Sequence, residues 1–167
     1  MLHIYVDGSA LNNGKENSKG GYGLIILNDN NDLIYAYRES FDNVTNNQME
    51  LKAILKAFEL LDTKFKNNQA IIYSDSAYCI NILTDWIHIW SKNSWINSKK
   101  EQIKNLNIVL SLYEYYKKDF FINQVEFVKV KGHSENLGNE IADALSRADA
   151  LKFSNLILKN GVHINIE

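Results

Sequence analysis

Three strand-length apolar segments precede the first helical period in this chain, and that order constrains its fold more than any other feature. Residues 2–7, GYGLIIL at 21–27 and DLIYAYRE at 32–39 read as strands, the last two joined by the turn NDNN. From Thr45 onward, strands and helices alternate. Thr45 followed by Gln48 is a capping box, and Leu51, Ile54, Leu55, Phe58 and Leu61 then recur at helical spacing. AIIYSD at 70–75 predicts a fourth strand and SAYCINIL at 76–83 a short helix. Residues 99–118 predict a lysine-rich amphipathic helix, QVEFVKVKG at 124–132 the last strand, and NEIADALSRADALK at 139–152 the last long helix. A hairpin followed by β-α units predicts one α/β domain, a five-stranded mixed sheet covered by helices. Residues 153–167 are apolar enough to dock on it but show no clear period.

A chain of 167 residues with 46% apolar content can bury one domain's core. No stretch approaches 18 consecutive apolar residues and no leader is read at the N-terminus, so a soluble, cytoplasmic protein without a membrane partner is expected, and a monomer. Cys79 is the single cysteine, which excludes an internal disulfide and a cysteine metal cage; its apolar helical setting predicts a buried thiol. The net charge of −2 argues mildly against a nucleic-acid partner, but the charge is split. Residues 86–118 hold six lysines against Glu101 and Glu114, a local +4.

Asp7 and Asp75 repeat one event, an apolar strand ending in Asp followed by a small residue. In open sheets with helical crossovers, sites form at the carboxyl ends of strands, and the connection between strands 1 and 4 lets them lie side by side. Glu50 lies just inside a helix whose Ala53 and Ala57 predict close packing, which draws it inward. Asp143 sits between Ala142 and Ala144 near a helix start. Singly, each has an ordinary reading: an Asp opening a turn, or an acid complementing a helix dipole. Converging, they would repel strongly unless a cation joined them. All-oxygen ligation suits Mg²⁺ or Mn²⁺, and two such ions about 4 Å apart serve phosphoryl transfer.

DGSA, TNNQMEL, YSDSAY and KGHSEN…NEIADALS, in this order and at these intervals, resemble the type 1 ribonuclease H family over about residues 2–150. The resemblance implies a ribonuclease H-like fold with a helical basic protrusion, a catalytic domain at 1–152, and a C-terminal extension at 153–167 outside the match. It also implies an endonuclease that cuts the RNA strand of RNA–DNA hybrids with two Mg²⁺ ions, Mn²⁺ being the alternative, and leaves 5′-phosphate and 3′-hydroxyl ends. Carried over, Asp7 bridges both ions, Glu50 and Asp75 hold one, and Asp143 the other. One ion lowers the pKa of a bound water to make the attacking hydroxide, and the other stabilises the leaving 3′-oxygen. His133 matches the family's mobile-loop histidine and Glu140 the acid behind the ligands; both would assist proton movement and product release.

DWIHIWSKNSW resembles the handle with which many members of that family hold the DNA strand. Lys92, Lys99, Lys100 and Lys104 would pair with phosphates and Trp86 would stack on a sugar. Trp86 and Trp90, four apart on one helix face, are also what a core would use. Thr45, Asn46 and Asn47 match residues that contact nucleic acid, and are equally ordinary helix-capping residues. The main chain of Gly8 and Ser9, with the Glu50 carboxylate, suits recognition of a 2′-hydroxyl. Four departures bear on hybrid affinity rather than on the chemistry. Gln48 stands for a common arginine, Ala77 for a glutamine and Asn136 for the second histidine of GHxGH, and the tip Ser91-Lys92-Asn93 is less basic than usual. Another metal nuclease of the same fold, such as a junction resolvase or a polymerase domain, ranks behind because it would keep the acids but not the NNQMEL and handle features. A non-catalytic hybrid-binding module ranks behind because none of the motif acids is lost.

Overall fold

Strands β1 (Leu2–Leu11), β2 (Lys19–Leu27) and β3 (Leu33–Asp42) form an antiparallel meander, and β4 (Ala70–Ser74) and β5 (Val125–Lys129) add to it in parallel. The result is the expected five-stranded mixed sheet, in the order β3-β2-β1-β4-β5. The computed structural model describes residues 1–118, 121, 123–132 and 135–165. No helix among them is long and apolar enough to cross a membrane.

The meander strands are longer than their apolar cores suggest. β1 continues past Asp7 to Leu11, each residue paired with β2 as far as Lys19. Asp7 is therefore inside a strand rather than at its end. On its other edge β1 pairs with β4 only from Leu2↔Ala70 to Tyr5↔Tyr73, so Asp7 and Asp75 lie just beyond the last parallel pair. There the two strands separate, which leaves room between them for side chains.

Helix α1 (Asn46–Asp62) begins as its sequence predicts. The Thr45 hydroxyl accepts from the Gln48 amide at 3.1 Å, and the Gln48 side chain accepts from the Thr45 amide at 2.9 Å. Its buried Ala53, Ile54, Ala57 and Phe58 pack in one cluster with Ile4, Val6, Leu24 and Ile26. Period-2 alternation sends Tyr5 and Asp7 to the opposite face. That face carries α5 (Leu137–Ser146) and a second cluster of Ile25, Leu27, Leu33, Ile141 and Ile157. Here α5 comes so close that a Cβ on Gly138 would meet the Tyr5 ring.

Helices α2 (Ala77–Asn81) and α3 (Ile87–Lys92) are joined by a π-helical turn, Ile82–Trp86, and Ser76 caps the first of them. Cys79 is buried, as expected, and burial pushes its thiol up to about 12. Two helical expectations need correction. The segment 99–118 is helical only over α4 (Leu106–Tyr116). Before it, Asn97 Oδ1 accepts from the amides of Lys99 and Glu101, and Lys100 and Asn105 take left-handed φ values of 61° and 58°. The segment 139–152 is two helices, since Ala148 has φ 56° and the Asp149 carboxylate caps α6 (Ala150–Lys159) through the Lys152 amide at 2.9 Å. The C-terminal residues do dock. Ile157 is buried, and Leu33 exchanges backbone hydrogen bonds with His163 and Asn165 beyond α6.

Candidate metal centre

Asp7 from β1, Glu50 from the first turn of α1 and Asp75 after β4 meet where β1 and β4 part. One carboxylate oxygen from each lies within 4.8 Å of the others. Asp7 is 5% exposed and Glu50 is 7% exposed. The Gly8 amide donates to the Glu50 carboxylate, yet Glu50 Oε2 is buried with no hydrogen-bond partner. A buried carboxylate with an orphaned oxygen, set beside two further carboxylates, is costly unless a cation offsets the charge. The donor set is oxygen throughout, which fits a hard divalent ion. Burial pushes Asp7 up to about 7, with Ser146 opposing and Asp75 and Asp143 adding to the rise; burial first, then Asp7 and Asp75, raises Glu50 well above the carboxylate range.

Gly8 has a packing duty in addition to its expected contact with substrate. Its missing Cβ is the space filled by the Met49–Glu50 backbone. Its φ is not left-handed, so the requirement is one of room rather than of conformation. Gly8→Ala is expected to push α1 off β1 and to destabilise the fold by about 2–3 kcal/mol. Urea unfolding checks this; an unchanged midpoint would mean that α1 can retreat freely.

Asp143 stands beside this trio but is not joined to it. Its carboxylate, 14% exposed, takes Arg147 Nε on Oδ1 at 2.8 Å and Lys152 Nζ on Oδ2 at 2.9 Å. Partial burial opposes ionisation, and the bonds from Lys152 and Arg147 outweigh it, so the Asp143 pKa is lowered. Ser146 links the two sides, its hydroxyl 2.7 Å from Asp7 Oδ2 and 2.9 Å from the Asp143 carbonyl. Sequence reasoning did not single out Ser146, Arg147 or Lys152. Only Arg147, four residues after Asp143, carries a local signal, that of a helical ion pair.

Among the remaining expected residues, Glu140 lies in the first turn of α5, half-buried, and His133 lies outside the described residues. Asn136 caps α5 by accepting from the Asn139 amide at 3.1 Å. Asn46 Oδ1 accepts from the Ala10 amide at 2.6 Å, tying α1 to β1, and Asn47 is exposed. Ser9 Oγ donates to the Ser146 carbonyl at 3.3 Å. Beside it runs an open groove of about 660 Å³, whose walls include Lys19, Arg38, Asp42 and Arg147.

The tryptophan segment is half core and half surface. Trp86, Trp90 and Trp95 are each half-buried against the main cluster, so Trp90 is no more a core residue than Trp86. Trp86 and Trp90 ring centroids are 5.6 Å apart, and Trp95 stands edge-on to Tyr113 at 5.0 Å. Lys117 and Lys118 pair with Glu114 and Asp62. Lys92, Lys99, Lys100 and Lys104 are exposed and make no ion pair among the described residues.

The sequence profile of the RNase H family matches residues 1–151. A ribonuclease H of Clostridium botulinum is 38% identical over 144 residues, spanning 86% of this chain and 91% of its own. Among solved structures, LC9-RNase H1, a type 1 RNase H with the type 2 active-site motif, superposes with a TM-score of 0.75 at 23% identity. That likeness covers 99% of this chain and 86% of the other. A foamy viral protease-reverse transcriptase in complex with an RNA/DNA hybrid gives a TM-score of 0.75 at 17% identity, over 88% of this chain and 19% of that one.

Proposed function

Because this chain belongs to the ribonuclease H family, we propose that it cuts the RNA strand of RNA–DNA hybrids with two divalent cations, Mg²⁺ or alternatively Mn²⁺, leaving 5′-phosphate and 3′-hydroxyl ends. The family makes the chain a nuclease, a hydrolase of phosphodiester bonds. The cation-dependent reading rests on the buried carboxylate of Glu50, whose Oε2 has no partner, gathered with those of Asp7 and Asp75. In this reading Asp7 would serve both cations, Glu50 and Asp75 would hold one with it, and Asp143 would hold the other. When bound, such cations supply Lewis acidity at the scissile phosphate and stabilise charge on the leaving 3′-oxygen.

The chain's own groups do the positioning. The Ser146 hydroxyl fixes one oxygen of Asp7, and the Gly8 amide fixes the Glu50 carboxylate. The Ser9 main chain is at hand for a 2′-hydroxyl, the feature that separates RNA from DNA. His133 and Glu140 assist proton movement and product release. A gel assay on hybrid, double-stranded RNA and double-stranded DNA, with Mg²⁺ or EDTA, tests the reading. Cleavage of hybrid alone, abolished by EDTA, is expected. Cleavage that survives EDTA, or that prefers duplex DNA, would overturn it.

Lys92, Lys99, Lys100 and Lys104 bind phosphates in this reading, being exposed cations with no ion pair among the described residues. Changing all four to Ala is expected to raise KM far more than it lowers kcat. Each lysine–phosphate pair removed should flatten the log–log salt dependence of hybrid binding by about 0.7–0.9. Parallel salt slopes for wild type and the quadruple variant would leave these lysines without a role in binding.

A further inference from the structure

Both oxygens of Asp143 are already claimed by cations of this chain, and one of these comes from beyond the family match. Arg147 Nε and Lys152 Nζ take one oxygen each. The family profile ends at residue 151, and Lys152 stands in the first turn of α6. Its place is built into the fold. The left-handed Ala148 turns the chain, the Asp149 carboxylate holds the Lys152 amide, and Ile157 anchors α6 in the cluster with Ile141 of α5. Asp7, Glu50, Asp75 and Asp143 set against Arg147 and Lys152 leave two formal negative charges, the complement of one divalent ion rather than two. Coulombic neutrality at close range therefore favours a single ion among the Asp7 trio so long as both basic residues stay on Asp143.

Resting on the two-cation reading above, we propose that Lys152 is a tethered competitor for the second divalent cation. It holds Asp143 toward α6, so the first ion binds tightly and the second binds only by displacing the lysine. The C-terminal helix thus sets the metal stoichiometry of the site. Lys152 is a positioning residue here, acting through Asp143 and not on the substrate.

Mn²⁺ binding to the whole chain, followed by the electron paramagnetic resonance signal of free Mn²⁺, tests this without reference to activity. Wild type is expected to bind one ion tightly and a second more weakly. Lys152→Met should tighten the second about fivefold, the factor that a part-exposed ion pair supplies, and should leave the first within twofold. Lys152→Arg should restore the wild-type isotherm, and Asp143→Asn should remove the second ion. At 39% exposure Lys152 can be replaced without breaching the core, and circular dichroism verifies the fold of each variant. Two equally tight ions in wild type, or an isotherm unmoved by Lys152→Met, would overturn the competition and leave the two-cation reading standing. Binding that is also indifferent to Asp7→Asn would overturn both.

Discussion

Asp7→Asn is expected to bring hybrid cleavage down to background, a fall of about 10³-fold or more, in a protein that still folds. Asp7 is the carboxylate on which the site converges. It faces Glu50 and Asp75 within 4.8 Å on one side, and one of its oxygens is tied to Ser146 on the other. The amide keeps the shape, and its oxygen still accepts from Ser146, but the charge that holds a cation is gone. Loss of several kcal/mol of charge stabilisation at the reacting phosphate corresponds to that factor. Single-turnover cleavage at saturating hybrid, with circular dichroism as a control on folding, measures it. Activity within tenfold of wild type would mean that the cation-dependent chemistry does not pass through Asp7.

Without divalent ions, the folded state is expected to lose stability as pH rises from about 4 to about 7. Burial, with Asp75 and Asp143 adding and Ser146 and Arg147 opposing, raises Asp7 from an ordinary 3.8 to about 7, and Glu50 is raised as well. A carboxyl whose pKa is higher in the folded state holds a proton that the unfolded chain has lost. Below about pH 4 both states are protonated and there is no effect. Between the two pKa values the folded state is progressively penalised, and above about pH 7 the penalty is complete, at up to about 4 kcal/mol for Asp7. The lowered pKa of Asp143 acts oppositely and on the acid side, where its stabilisation is lost as pH falls below about 4. Urea unfolding in EDTA at pH 5 and pH 8 measures the difference, and Asp7→Asn should recover most of the stability missing at pH 8. Wild type more stable at pH 8 than at pH 5 would refute the strained cluster.

The parts of the fold that could be read in the sequence are those set by neighbours along the chain. The Thr45–Gln48 capping box is such a feature, and so are the helical spacing of α1 and the apolar segment that buries Ile4 and Val6. Pairing between distant segments left weaker marks. Leu11 and Lys19 look like loop residues, yet they close the β1–β2 ladder, because the exposed end of an antiparallel ladder needs no apolar run. Left-handed Ala148 and Asn105 break helical patterns that the apolar spacing would continue, and no side-chain signal marks an alanine for that conformation. At the candidate site, Asp7, Glu50 and Asp75 were legible because each carries its own motif. Ser146 was not, since in sequence it is one more helical serine, and its partner Asp7 lies 139 positions away.

Glu50 and Asp143 stand on helices that cover opposite faces of the sheet around Asp7, the two faces belonging to separate apolar clusters. A central strand with independent layers on its two sides allows one layer to open while the other stays closed. Cations bound across that strand would oppose such partial opening, because ligands supplied by both layers are lost if either departs. Under the proposed two-cation reading, cofactor occupancy and cooperative unfolding would then be one property of this molecule: a chain whose α5–α6 layer has loosened would keep Asp7, Glu50 and Asp75 together yet lack the fourth acid with which to cut RNA.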